Sequence, residues 1–252
     1  MLKKQIRKSL RLLPAAFLIL SAAVFGMAQQ PAGSKQNARP EVTAPTSTPP
    51  TARESEKVSI RYSYEFTQAN FFVRHIVLEH DARGRGQVTF QKLHDETAIT
   101  EPLILSEAAL ARISALWQAL NFLDSRENYQ SERQFPHLGT MRLEMEQELR
   151  KRSAEFNWTN NKDAAALVDE YRRAADQTIL VFDISIAREI QPLNGPKLME
   201  QVEWMLGHKS LSDSQQLVPL LNDISTDEHL PLIARNHALR LIKQIEKQSK
   251  TK

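Results

Sequence analysis

Apolar and polar side chains alternate strictly where the patterned part of the chain begins: Val58, Ile60, Tyr62, Tyr64 and Phe66 are separated by Ser59, Arg61, Ser63 and Glu65. A period of two puts the five large side chains on one face of a β-strand. Segments 71–80 and 87–93 flank Asp81-Ala82-Arg83-Gly84-Arg85-Gly86, the composition of a hairpin with a glycine-bearing turn. Ser106 precedes Leu110, Ile113, Leu116, Trp117 and Leu120, an N-cap followed by a helical stripe. Alternation returns at 140–147 with Met141, Leu143 and Met145. Segment 153–158, beyond a turn carrying Arg150, Lys151 and Arg152, is its expected hairpin partner.

From Lys162 the period changes to 3.6. Ala164, Leu167, Val168, Tyr171, Ala174, Thr178 and Phe182 make one stripe, which Ile186 and Ile190 extend until Pro192 ends it. This predicts one long helix, or two with a kink near Asp183. Gly195-Pro196 opens another, with Leu198, Met199, Val202, Met205 and Leu206 inside and Gly207 as its C-cap. The tail reads as a helical hairpin: Leu217, Leu220, Leu221 and Ile224 line its first helix, and Leu230, Ile233, Ala234, Leu241 and Ile245 its second.

Residues 212–247 resemble a single HEAT-type repeat, through Leu217-Val218-Pro219-Leu220-Leu221-Asn222-Asp223, Asp227 and Ile233-Ala234-Arg235-Asn236-His237-Ala238-Leu239. Such repeats need about three units to stand alone, so this one is expected to pack onto the rest of the domain. The earlier part is loosely similar to small exported bacterial domains of unknown function. The shared order is a hairpin with a Gly-bearing turn, Leu105-Ser106-Glu107 opening a helix, Phe122-Leu123, then a second strand pair. That resemblance implies a fold and brings no activity with it.

The N-terminal segment changes both the compartment and the charge. Lys3, Lys4, Arg7, Lys8 and Arg11 precede an apolar run from Leu12 to Phe25, and Gly26-Met27-Ala28 supplies small residues for cleavage after Ala28. Residues 1–28 are therefore read as a signal peptide, with an uncleaved membrane anchor as the competing reading. A span needs about 20 apolar residues, and this run is shorter and contains Pro14. Removing five basic residues from 33 leaves 28 against 30 acidic ones, net −2. The pI of 9.1 thus belongs to the precursor, and the mature chain lacks the basic excess a nucleic-acid partner requires. Residues 29–57, with Pro31, Pro40, Pro45, Pro49 and Pro50, read as a disordered Pro/Ala/Thr-rich linker. It is either a tether of up to ~90 Å or a spacer without function. No cysteine is present, which excludes lipid acylation, disulfides, thiol catalysis and Cys-zinc sites.

Candidate chemistry is sparse. His75 and His80 lie five apart on a predicted strand, an odd spacing that points them to opposite faces and defeats a shared metal site. Gly84-Arg85-Gly86 lacks the third glycine and following helix of a phosphate cradle. Gly-x-Ser-x-Gly is absent. Glu144 and Glu146 read as solvated charges on the polar face of their strand. The histidines at 208, 229 and 237 fit no ligand spacing, and Asn157-Trp158-Thr159 is a glycosylation sequon relevant only to a eukaryotic route. Phe135-Pro136-His137-Leu138-Gly139 places a histidine in a loop beside a strand, and Trp158-Thr159-Asn160-Asn161 ends the paired strand. His137, Trp158 and Asn160 are thus the expected ligand or partner surface; the competing reading makes both segments ordinary connections, with Asn160 or Asn161 capping the long helix.

The expectation is an α+β fold: an antiparallel sheet of about five strands within 58–158 with one intervening helix, then an all-helical half over 162–252, in one domain spanning 58–252. No catalytic, metal or cofactor residue is assigned. The function expected is a non-catalytic binding or interaction module in the cell envelope, periplasmic or secreted, with an unknown protein or envelope partner and no membrane span after cleavage. The alternative is an exported hydrolase whose site assembles from distant segments.

Overall fold

A computed structural model describes residues 60–250. The expected signal peptide, its cleavage after Ala28 and the linker lie outside the described residues, as does Val58.

The described chain is α+β. Its strands are β1 (Ile60–Thr67), β2 (Val73–Asp81), β3 (Arg85–Lys92), β4 (Ile99–Ile104), β5 (Thr140–Gln147) and β6 (Arg150–Phe156), and helix α1 (Glu107–Ala119) intervenes. Helices α2 (Lys162–Ile190), α3 (Gly195–Gly207), α4 (Val218–Thr226) and α5 (Leu232–Ser249) complete it. All six strands form one antiparallel sheet in the order β4-β3-β2-β1-β5-β6. No described helix is long and apolar enough to cross a membrane.

Register follows the alternation. Tyr64 of β1 lies between Leu78 of β2 and Leu143 of β5, and Phe66 lies between Ile76 and Met141. These side chains, with Val88, Phe90 and Phe156, make the apolar face on which α1 and α2 pack through Ile113, Trp117, Leu167 and Tyr171. The other face is polar and carries a ladder of opposite charges across its strands. Glu65 accepts from His75 Nε2 at 3.0 Å and pairs with Arg142, which also bonds Glu155 at 2.8 Å. Glu144 meets Lys151 at 2.7 Å.

Four details differ from the sequence expectation. First, there is a sixth strand, β4; Glu101 and Pro102 interrupt its pattern, and Pro102 is tolerated because β4 is an edge strand. Second, Arg150, Lys151 and Arg152 belong to β6 and not to the turn, which is made by Glu148 in the left-handed region (φ 55) and the fully exposed Leu149. Third, Gly207 closes α3 from inside, and the left-handed residue is Lys209 (φ 55).

Fourth, the stripe of α2 shifts. The helix is continuous over 29 residues, about 44 Å. Past Ala174 it buries Ala175, Ile179, Leu180, Ile184 and Ala187, while Ile186 and Ile190 are exposed. The cause is a second hydrophobic core. Buried residues up to Ile179 belong to the sheet core, on which Phe182 also packs against Phe90; Leu180 and Ile184 belong to a helical core with Met199, Val202, Leu221, Ala238 and Leu241. The helical core meets α2 from another direction, so the buried stripe rotates. In the same core Leu230 is buried ahead of α5, whereas Ile233 is exposed on its first turn.

Candidate functional site

Between α1 and β5 runs a 20-residue connection, 120–139, whose only regular piece is a 3-10 turn at Pro136–Leu138. Irregular connections this long are usually functional or disordered. This one is fixed. Arg152 of β6 lies over the Phe122 and Tyr129 rings at 4.4 and 5.3 Å, and donates to the carbonyls of Phe122 and Glu127, both at 2.6 Å. Asn157 accepts from Gln130 Nε2 and Phe135 N through Oδ1, while its own N–H donates to Gln130 Oε1. Gln68 donates to the carbonyls of Pro136 and His137 at 3.0 and 2.9 Å. Gly139 has φ +92, and a Cβ there would meet Phe66 Cε2 at 2.6 Å and Thr67 O at 2.8 Å. Only glycine fits that entry into β5.

The three residues singled out by sequence come together on this scaffold. Phe135 packs edge-on against Trp158, with ring centroids 5.3 Å apart, and against His137 at 6.0 Å. Trp158 is 45 % exposed, and its carbonyl accepts from Ser131 N at 2.8 Å. Asn160 donates through Nδ2 to Ser131 Oγ at 3.2 Å. Asn161 is the cap of α2, its Oδ1 accepting from Asp163 N and Ala164 N. Phe135, the bridge between the two predicted aromatics, has no sequence signal beyond lying two positions before His137.

The histidine pair divides as its spacing requires. His75 sits on the polar sheet face with Glu65, and His80 is buried in the sheet core. His80 Nδ1 is 2.7 Å from the Asp81 carbonyl, which only accepts, so Nδ1 holds the proton. Nε2 then accepts from the Tyr171 hydroxyl at 2.8 Å, whose oxygen accepts from Trp117 Nε1 at 2.8 Å. Tyr62 stacks on the imidazole at 5.0 Å. Burial lowers the pKa of His80 below the ordinary imidazole value and raises that of Tyr171 well above 10.0. Every polar atom of this relay is spent on a neighbour, which makes it a core fastener. The Gly84 turn is similarly closed: Asp81 Oδ1 accepts from Arg83 N and Arg85 N, so those amides are not offered to an anion.

Two buried polar residues of α2 escaped the sequence reading. Glu170 and Gln177 are seven apart on one face, both buried, among buried Leu167, Tyr171 and Ala174. A helical wheel drawn on that stripe would have exposed them. Glu170 binds Arg112 at 2.9 Å and Arg173 at 2.5 Å. Gln177 accepts from Asp213 N at 3.0 Å and donates to Gln216 Oε1 at 3.2 Å, and Gln216 donates to the Ile104 carbonyl at 3.0 Å. They strap segment 209–217 across α2. Beside this strap opens a cleft of about 500 Å3, walled by α1, the strap and the end of α5. Among the described residues no group of three or more His, Asp or Glu side chains is placed to hold a metal ion. No family model matches the chain, and no curated protein matches it.

Proposed function

We propose that this chain is exported and works in the cell envelope as a non-catalytic binding module, with Phe135, His137, Trp158 and Asn160 as its contact surface. The observation that carries the reading is the aromatic cluster itself: an exposed tryptophan and a histidine joined through Phe135 on a loop held by buried Phe122 and Tyr129 and by hydrogen bonds with Gln68, Arg152 and Asn157. Aromatic side chains on rigid supports give large contact area at little entropic cost and dominate binding energy at interfaces. The partner is a protein or another envelope component.

The test is a crosslinking pull-down from native envelope with the full chain and with a His137→Ala/Trp158→Ala double variant, using Leu149→Ala at the remote hairpin tip as control. Capture of the same partner should fall at least tenfold in the double variant and persist in the control. Equal capture by all three removes the surface. Mass spectrometry should find Gln29 as the mature N-terminus; intact chain confined to the cytosol overturns export. Hydrolysis of an envelope polymer, retained by the double variant, would replace this reading with an exported hydrolase.

A further inference from the structure

The cleft beside the strap has features that core packing does not require. Arg112 of α1 lines it with 43 % of its side chain exposed. Its guanidinium is fixed at two corners, Nε on Glu170 Oε1 and Nη2 on the Ser212 carbonyl, both at 2.9 Å. Nη1 makes no hydrogen bond among the described residues. Behind it Glu170 is buried, and its Oε2 has no hydrogen-bond partner among the described residues. Burying a carboxylate to pair it with arginine is seldom a net gain in stability. What the pair does achieve is orientation, since it sets the plane of a guanidinium whose third corner is open.

Lys209, on the same cleft wall, makes the second unforced choice. It occupies the left-handed position after α3, where Ser210 N closes back on the Met205 carbonyl at 2.9 Å. Glycine is the usual residue in this capping turn, because any Cβ there is strained. Lysine adds an ammonium, which pairs with no carboxylate among the described residues. Ser212, Ser214 and Gln248 add hydroxyl and amide groups to the wall, and Asp213 is its only acid among the described residues. Counting Arg112, Arg173 and Lys209 against Glu170 and Asp213 leaves one positive charge in excess.

We infer that this cleft binds a small polyhydroxylated anion of one- or two-sugar size, its oxyanion held between Arg112 Nη1 and Lys209 Nζ and its hydroxyls met by the serine and glutamine side chains. A volume of about 500 Å3 suits such a ligand. The oxyanion is the shared chemistry, whether it belongs to a sugar acid or a sugar phosphate. The site has no residue in common with the loop surface and goes beyond the function proposed for it.

The test titrates the full chain with glucuronate, glucose 6-phosphate and neutral glucose, following backbone amide shifts of residues 209–215. One or both acidic probes should move these resonances saturably while glucose does not, and the tighter probe identifies the source of the oxyanion. Arg112→Gln and Lys209→Gly should each raise the Kd at least tenfold. The glycine variant relieves the strained backbone, so its folding is secure, and its loss of affinity cannot be ascribed to a damaged fold. The inference is overturned by absence of binding for both acids, by glucose binding as tightly, or by Kd values unchanged in Lys209→Gly.

Discussion

At the scale of single residues, the consequential group is His80. Its three-link chain through Tyr171 to Trp117 holds only for a neutral imidazole carrying its proton on Nδ1. An added proton on Nε2 would leave the Tyr171 hydroxyl, itself buried, without an acceptor. The folded pKa lies below 6.5, so in acid the unfolded chain binds the proton first and stability falls as pH drops below the ordinary imidazole value, by at most about 1.4 kcal/mol per pH unit. Asp176, whose carboxyl burial pushes up from 3.8, works with the opposite sign near its own range and does not imitate this loss. The expected result is that His80→Phe lowers the denaturation midpoint at pH 7.5, through an orphaned tyrosine hydroxyl worth about 1–3 kcal/mol. The same variant should show a flatter midpoint between pH 7.5 and 5. Parallel curves for parent and variant would rule the relay out as the source of acid sensitivity. Parity alone put His75 and His80 on opposite faces; the partners of His80, 91 and 37 positions away, leave no trace in local sequence.

At the scale of elements, α2 is where pattern reading succeeded and then failed. The 3.6 period and a cap at Asn160 or Asn161 mark its start, Asn161 fills that position, and Ala164, Leu167, Val168, Tyr171 and Ala174 are buried as the stripe requires. Beyond Ala174 the same rule selected Ile186 and Ile190, which face solvent, because it assumes one core and this helix serves two. Glu170 and Gln177 mark the changeover. Gln177 is the one side chain that satisfies the buried-side amide of Asp213 while also holding Gln216. Replacing Gln177 by Leu keeps the volume and leaves that amide without a partner, at about 1–3 kcal/mol. Hydrogen exchange should then quicken at Asp213 and its neighbours in the strap well before the sheet is affected. An Asp213 amide as protected as in the parent would show that Gln177 does not hold the strap. The edge strand β4 was missed for a related reason: Gln216 and the strap stabilise its end from 112 residues away, and nothing in Ile99–Ile104 announces that support.

At the scale of the whole molecule, two hydrophobic cores share one uninterrupted helix. Ile179 is the last fully buried α2 residue of the sheet core, against which Phe182 still packs, and Leu180 is the first of the helical core. A helix cannot be half formed at such a boundary without exposing apolar surface on one side or the other, so the helical half is expected to behave as a continuation of the sheet domain. This also accounts for the stability of the terminal helical hairpin: α4 and α5 bury Leu221, Ile224, Ala238 and Leu241 in one core with residues of α2 and α3. The consequence is measurable with Leu180→Ala, a cavity at the junction costing about 2–5 kcal/mol. Thermal unfolding should remain a single transition at lower temperature, with near-ultraviolet signals from buried Trp117 in the sheet core lost together with the far-ultraviolet signal of the helices. Two separated transitions, the helical half melting first while the Trp117 signal persists, would mean that the cores are independent and that α2 merely passes through both.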